Sequence, residues 1–216
     1  MNKLSRITSA ALLAAGCIGS SAACAEVSYN IGFASEYYFR GIKQKTSSAS
    51  AGIDYESSGF YVGGWAADVG DGLEVDGYVG YGMEFDSGFS ASIGYTGYFY
   101  TGEFDDTYNE INLNLGYGIF GFEYSRGRYD NFGGPKVDYD FIAATLSFEN
   151  GFYGTVGGFG DDADGNYIEV GYGTTVAEID IGVAAIFSSD ELSDQLDSNM
   201  MPTESEALVL TLGKTF

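Results

Sequence analysis

In 216 residues, 31 Asp and Glu stand against nine Lys and Arg, with no histidine, a formal net charge of −22, 33 Gly, two Pro and 16% aromatic residues. Such an anionic surplus excludes nucleic acid as a partner, because phosphate binding runs on cationic side chains. It does not describe a disordered chain either, since acidic disordered segments are poor in aromatics. Apolar and polar residues must instead be sorted onto two faces of the same segments.

The first 25 residues read as an export signal. Lys3 and Arg6 supply a positive start, Ile7 to Ile18 a short apolar stretch, and Ala23-Cys24-Ala25 a small-x-small cleavage site before Glu26. The apolar stretch is shorter than the ~20 residues a transmembrane helix needs. A competing reading takes Ala14-Ala15-Gly16-Cys17 as a loose lipobox that would leave a lipid on Cys17. Cleavage after Ala25 removes both cysteines, so the mature chain has no disulfide to draw on. It also removes Lys3 and Arg6, leaving seven cations against 31 acids, a net −24. No run of 18 apolar residues follows Ala25, so no membrane-spanning helix is expected. Residues 26–216 are expected to form one domain.

Beyond Ala25 the dominant period is two, broken by turn residues every 8 to 15 positions. From Val27 to Phe39, one face carries Val27, Tyr29, Ile31, Phe33, Ser35, Tyr37 and Phe39, and the other ends in Glu36 and Tyr38. Further strands are predicted over 47–56, 60–69, 73–85, 89–99, 107–117 and 119–128, then 138–149, 152–160, 166–175, 178–188 and 205–216. Glycines leave the phase open in 60–69 and 152–160. The Val27–Phe39 pattern, the clearest, repeats where Leu73, Val75, Val79, Tyr81, Met83 and Phe85 stand against Glu74, Asp76, Tyr78 and Glu84. An 11-residue strand at ~3.3 Å per residue, tilted by ~40°, rises ~28 Å and can cross a ~25 Å apolar band. The predicted fold is therefore all-β, an antiparallel transmembrane β-barrel of 12 strands. An even number brings both termini to one side, the periplasm in an outer-membrane barrel.

The connections carry a separate signal. Ser57-Ser58-Gly59, Asp86-Ser87-Gly88, a turn near Gly118, Asn150-Gly151 and a turn near Val176 are short, and Asn-Gly favours a two-residue hairpin. The others run long and charged: Arg40 to Thr46, Thr101 to Asp106, Tyr129 to Val137, Asp161 to Gly165, and Ser188 to Ser205. Only the one near Gly70 to Gly72 breaks this rule. Short turns on one side and long loops on the other suit outer-membrane topology. At the C-terminus, Leu208, Leu210, Leu212 and the terminal Phe216 share a face, which reads as a recognition signal for the barrel-assembly machinery; Lys214 departs from that pattern. Aromatics gather at strand ends (Tyr37, Tyr38, Phe39; Tyr98, Phe99, Tyr100; Phe60, Tyr61; Phe152, Tyr153), where amphipathic rings suit two girdles against outer-membrane lipid.

The inward faces collect the carboxylates Glu36, Asp54, Glu74, Asp76, Glu84, Glu110, Glu123, Glu169 and Asp180. Arg40 joins them as a candidate for the lining. With so few cations to pair, most acids need water or metal ions, which favours a wet interior. Twelve strands ~4.8 Å apart at ~40° tilt close a ring of ~12 Å radius, leaving a channel ~10 Å across. Acid rings in such a channel favour small cations over anions.

Several segments carry a resemblance. Ser35-Glu36-Tyr37-Tyr38-Phe39-Arg40-Gly41 with Gln44, Asp54-Tyr55-Glu56, Ser58 to Trp65, Glu74 to Tyr81 and Tyr108-Asn109-Glu110 resemble the TorF-type porins of proteobacteria. The similarity covers about the first half of the mature chain, and Ile42, Lys43 and Lys45 depart from that family's Ser/Thr-rich loop. It implies an outer-membrane barrel with a pore for small solutes and names no solute.

Other classes fit less well. Without histidine, serine- or aspartate-based hydrolysis lacks its usual base, so no catalytic residue, cofactor or metal site is expected. Asp161-Asp162-Ala163-Asp164-Gly165 reads as a solvated acidic loop or a calcium loop without EF-hand spacing. A non-conducting structural barrel, or an adhesin using the 188–205 loop with Met200 and Met201, stands as the alternative.

Overall fold

The computed structural model describes residues 25–216. The expected signal segment, except Ala25, lies outside them. Twelve strands follow in order: β1 Glu26–Phe39, β2 Ile42–Ser57, β3 Phe60–Gly70, β4 Gly72–Glu84, β5 Phe89–Tyr100, β6 Tyr108–Tyr117, β7 Phe120–Tyr129, β8 Val137–Ser147, β9 Phe152–Asp161, β10 Asn166–Val176, β11 Ile179–Ser188 and β12 Ser205–Thr215. Each pairs antiparallel with its sequence neighbours, and β1 pairs with β12 from Asn30↔Thr215 to Ala34↔Thr211, closing the barrel. Closure leaves no free sheet edge, as a strand structure in hydrocarbon requires. Both described termini lie at one end with the β2–β3, β4–β5, β6–β7, β8–β9 and β10–β11 turns, here the turn end. The other end is the loop end.

The period-two pattern sets the wall. Along β11, Ile179, Val183 and Phe187 are exposed on the outside, while Ala184, Ile186 and Ser188 are buried inside. On β4, Leu73, Val79, Tyr81 and Met83 face out, and Glu74 and Asp76 are 2% and 3% exposed on the inside. This reverses a soluble protein, in which large apolar side chains are withdrawn from the surface and extensive exposed patches are rare. The open phases resolve as Tyr61, Trp65, Ala67 and Val69 inward on β3, and Val156 outward on β9. Leu208, Leu210, Leu212 and Phe216 are all exposed on the outer face, next to the closing seam. Charges on the outer wall gather near its ends: at the loop end Arg126 and Arg128 pair with Asp138, Asp140 and Asp161, and at the turn end Lys214 pairs with Glu178.

The main departure from the sequence-based expectation is the first connection. Arg40 to Thr46 is not a long loop. Arg40 and Gly41 alone make the turn, with φ of 49° and 82°, and β2 starts at Ile42. Two successive positive φ values match the twist of a tight hairpin. Pairing of β1 with β12 ends at Ala34, and that of β2 with β3 ends at Ser50↔Ala67. Residues 35–49 therefore form a two-stranded ribbon tied to neither flank by a ladder. Ser35 Oγ instead accepts the Leu210 N–H at 2.8 Å, and Ser48 Oγ donates to the Asp68 carbonyl at 2.7 Å. A bulge between Tyr37 and Tyr38 and a positive φ at Ser47 bend the ribbon. It folds into the barrel.

The aromatic girdle expected at Tyr37, Tyr38 and Phe39 is thus corrected: Tyr37 and Phe39 leave the lipid face and pack inside. Tyr98 and Tyr100 also point inward, and only Phe99 of that trio faces out. The 189–204 segment closes over the same end. Its Leu192 is buried against Gly165 and Tyr167, and a small hairpin bridges Leu196 to Pro202. There the Asp197 carboxylate accepts the N–H groups of Met201 and Asn199, which hold its pKa below the usual carboxylate range.

Candidate functional site

The interior divides into a filled half and an open half. The filled half starts with Arg40, whose side chain is 7% exposed. From the β1–β2 turn it reaches the far wall at β6 and β7, five and six strands from β1 around a ring of twelve. Its guanidinium donates to Glu110 Oε1 at 2.5 Å and Oε2 at 3.0 Å, to Glu123 Oε1 at 2.7 Å and to Ser125 Oγ at 3.1 Å. The plane stacks over Phe141 at 4.1 Å and Phe39 at 4.9 Å. A planar fork suits this work, since it binds a carboxylate through two parallel bonds while lying on aromatic faces.

Glu110 is saturated with donors. Besides Arg40 it accepts Tyr98 Oη at 3.2 Å, Tyr139 Oη at 2.7 Å and Asn112 Nδ2 at 2.8 Å. Glu74 is held by Tyr37 Oη at 2.6 Å and Tyr100 Oη at 2.9 Å. Asp76 is buried beside this network, and its Oδ1 has no hydrogen-bond partner among the described residues. The ribbon is fixed from the other side too. Ser188 Oγ donates to the Gly41 carbonyl at 2.6 Å, and a Cβ at Gly41 would stand 2.6 Å from Tyr167 Cβ. Around these bonds pack Tyr38, Ile42, Phe141, Tyr167 and Leu192 on one side, and Tyr37, Phe39, Trp65, Val69 and Phe104 on the other. Together they plug the loop end.

Below the plug lies a cavity of about 460 Å³, lined toward the turn end by Glu26, Asp54, Glu56, Asp180 and Thr215. Glu36 and Glu169 also line it, and Trp65, Tyr37, Asn112, Ile186 and Val209 form its upper part. Asp54 accepts bonds from Tyr78 Oη and from Asn30 Nδ2, the latter at 3.3 Å. Asp180 accepts Thr175 Oγ1 at 2.5 Å, and Glu36 lies 3.7 Å from Lys43 Nζ. We call this space the vestibule.

The ten side chains expected to share a lining therefore separate into three places. Glu36, Asp54, Glu169 and Asp180 face the vestibule. Arg40, Glu74, Asp76, Glu110 and Glu123 lie in or against the plug. Glu84 is exposed at the turn-end rim. A uniform channel ~10 Å across, the sequence-based expectation, is replaced by a vestibule and a plug because the ribbon occupies the upper lumen. Sequence reasoning missed Tyr37, Tyr98, Tyr139, Phe141 and Ser188 as partners in it. One signal pointed there, the departure of Ile42, Lys43 and Lys45 from the Ser/Thr-rich loop of the TorF-type porins. The acidic 161–165 segment gives Asp161 to Arg126 at 2.5 Å. No group of three His, Cys, Asp or Glu among the described residues converges for a metal ion.

An apolar outer wall, a closed antiparallel ring and a polar interior define a membrane-type single-chain β-barrel. The chain belongs to the Gcw_chp family, described as bacterial proteins of unknown function, whose model matches residues 19–202. No curated protein matches it. Among solved structures it is similar to the NanC porin, with 12% identity, a TM-score of 0.49, and 88% of this chain and 98% of that one covered. It is also similar to the outer membrane protein OprD of Pseudomonas aeruginosa, at 10% identity and a TM-score of 0.43, covering 89% and 65%. OccAB2 of Acinetobacter baumannii gives 12%, 0.43, 87% and 59%. The chain thus spans about two thirds or less of the length of the latter two.

Proposed function

We propose that the protein is an outer-membrane β-barrel that passes small solutes and prefers cations, with its narrow point at the Arg40 plug and its acidic vestibule facing the periplasm. One observation carries this reading. A side chain at a hairpin tip reaches across the lumen above a carboxylate-lined cavity, so the narrow part of the interior is the 35–49 ribbon with the wall side chains packed on it. The TorF-type resemblance supports it, since the segments that carry it supply Tyr37, Arg40, Trp65, Glu74 and Glu110, which meet at this point. Export through the cleaved segment before Glu26 and assembly through the Phe216 strand belong to the same proposal.

The vestibule acids create a negative potential in a space with low-dielectric walls, which concentrates cations and repels anions. The test is the reversal potential of the purified protein in a planar bilayer under a roughly tenfold KCl gradient. The expected value is displaced toward the potassium equilibrium potential, with small unitary conductance. Displacement toward chloride, or silence in the presence of correctly folded protein, would end the cation-pore reading.

A further inference from the structure

We propose that the vestibule is a binding site for a small organic cation with an apolar body, its ammonium group at Glu169. The proposal deepens the pore reading by naming a solute class, and it rests on that reading for the route by which the solute arrives. Glu169 is 5% exposed and lines the vestibule. Tyr153 Oη donates to its Oε1 at 2.5 Å, the one hydrogen bond found for this carboxylate among the described residues. That carboxylate is fixed in position and turned to the cavity, so a donor supplied by a ligand completes it. A charged acceptor held this way makes a stronger bond than a neutral one.

The neighbours of Glu169 select what the donor belongs to. Ile186 is its direct partner across the β10–β11 ladder, and Val209 is paired to Ala184 one inward position below Ile186. All three apolar side chains line the cavity next to the carboxylate. A hydrated metal ion has no use for such a surface, and the acids do not converge as metal ligands. An ammonium attached to hydrocarbon uses both. The cavity, about 460 Å³, falls within the size range of small-molecule sites. Excess acid along the lower wall at Asp54, Glu56 and Asp180 excludes anionic ligands of the same shape.

Trp65 is the only tryptophan in the sequence and lines the same cavity, so it reports occupancy directly. The probe is benzylammonium, whose N–H groups can donate to Glu169, titrated into the full mature barrel in detergent, with Trp65 emission and calorimetry as readouts. Benzenesulfonate is the anionic control and benzyl alcohol the neutral one. The expected result is saturable binding of the cation only. Glu169→Gln weakens it about tenfold, and Glu84→Gln at the rim leaves it unchanged. Equal response to the anion or the neutral compound, or full binding by a heat-modifiable Glu169→Gln barrel, overturns the site. If that variant does not fold, the cation-against-anion comparison in the native chain still decides. Because no membrane is involved, binding without conductance counts against the pore alone, and conductance without binding against the site alone.

Discussion

Replacing Arg40 with Ala is expected to raise single-channel conductance about threefold or more and to sharpen cation preference. The side chain bridges Glu110 and Glu123 on the opposite wall, and its removal takes away the only cation bonded to either among the described residues. Breaking a buried pair on one side typically costs about 3–5 kcal/mol, because the abandoned carboxylate stays desolvated. Here the cheapest relief is for the 35–49 ribbon to swing out and admit water, which converts an electrostatic penalty into an opening. Arg40→Lys should fall between the two, since an ammonium can meet Glu110 but cannot fork between carboxylates while stacking on Phe141. Bilayer recordings of the three proteins check the order. Equal conductance in all three would mean that the ribbon is not the constriction.

The second large effect concerns the outer wall. Val183→Arg is expected to destabilise the folded barrel by about 2–4 kcal/mol, the cost of a cationic side chain near the bilayer midplane. Thr211→Arg, on the neighbouring strand with its side chain in the vestibule, should change stability little, because it meets water and carboxylates. Urea titration of folding into lipid vesicles, read by the electrophoretic shift of folded barrels, compares the two. A similar loss for both would remove the distinction between a lipid face and a lumen face.

Most of the fold was legible in the chain because one physical demand, hydrocarbon outside and polar groups within, repeats on nearly every strand. Predicted and observed strand limits coincide closely from Phe60 onward. Glu110, Asn112 and Asn114 fell on the inward face, and Ile111, Leu113 and Leu115 on the outward face, as their alternation required. The same rule misled at Tyr37 and Phe39. Their alternation continues in phase from Val27, and nothing in a period of two tells lipid from a packed interior when the residue is aromatic. What decides the matter is how far the β12 and β3 ladders extend beside them, which is a property of the closed ring. The plug was hidden for a related reason. Arg40 and Glu110 are 70 residues apart, and only closure of the barrel sets them face to face. The phase of β3 needed the structure because Gly63 and Gly64 carry no side chain to mark a face.

The most direct test places single nitroxide labels along β11 of the mature protein in bilayers. Both native cysteines, Cys17 and Cys24, precede the proposed cleavage site, so the labels would be unique. Labels at 181, 183, 185 and 187 should be relaxed by oxygen dissolved in the lipid and shielded from a water-soluble nickel chelate. Those at 180, 182, 184 and 186 should lack the lipid signature. If the chelate reaches both sets alike, the chain is not a barrel wall in a membrane.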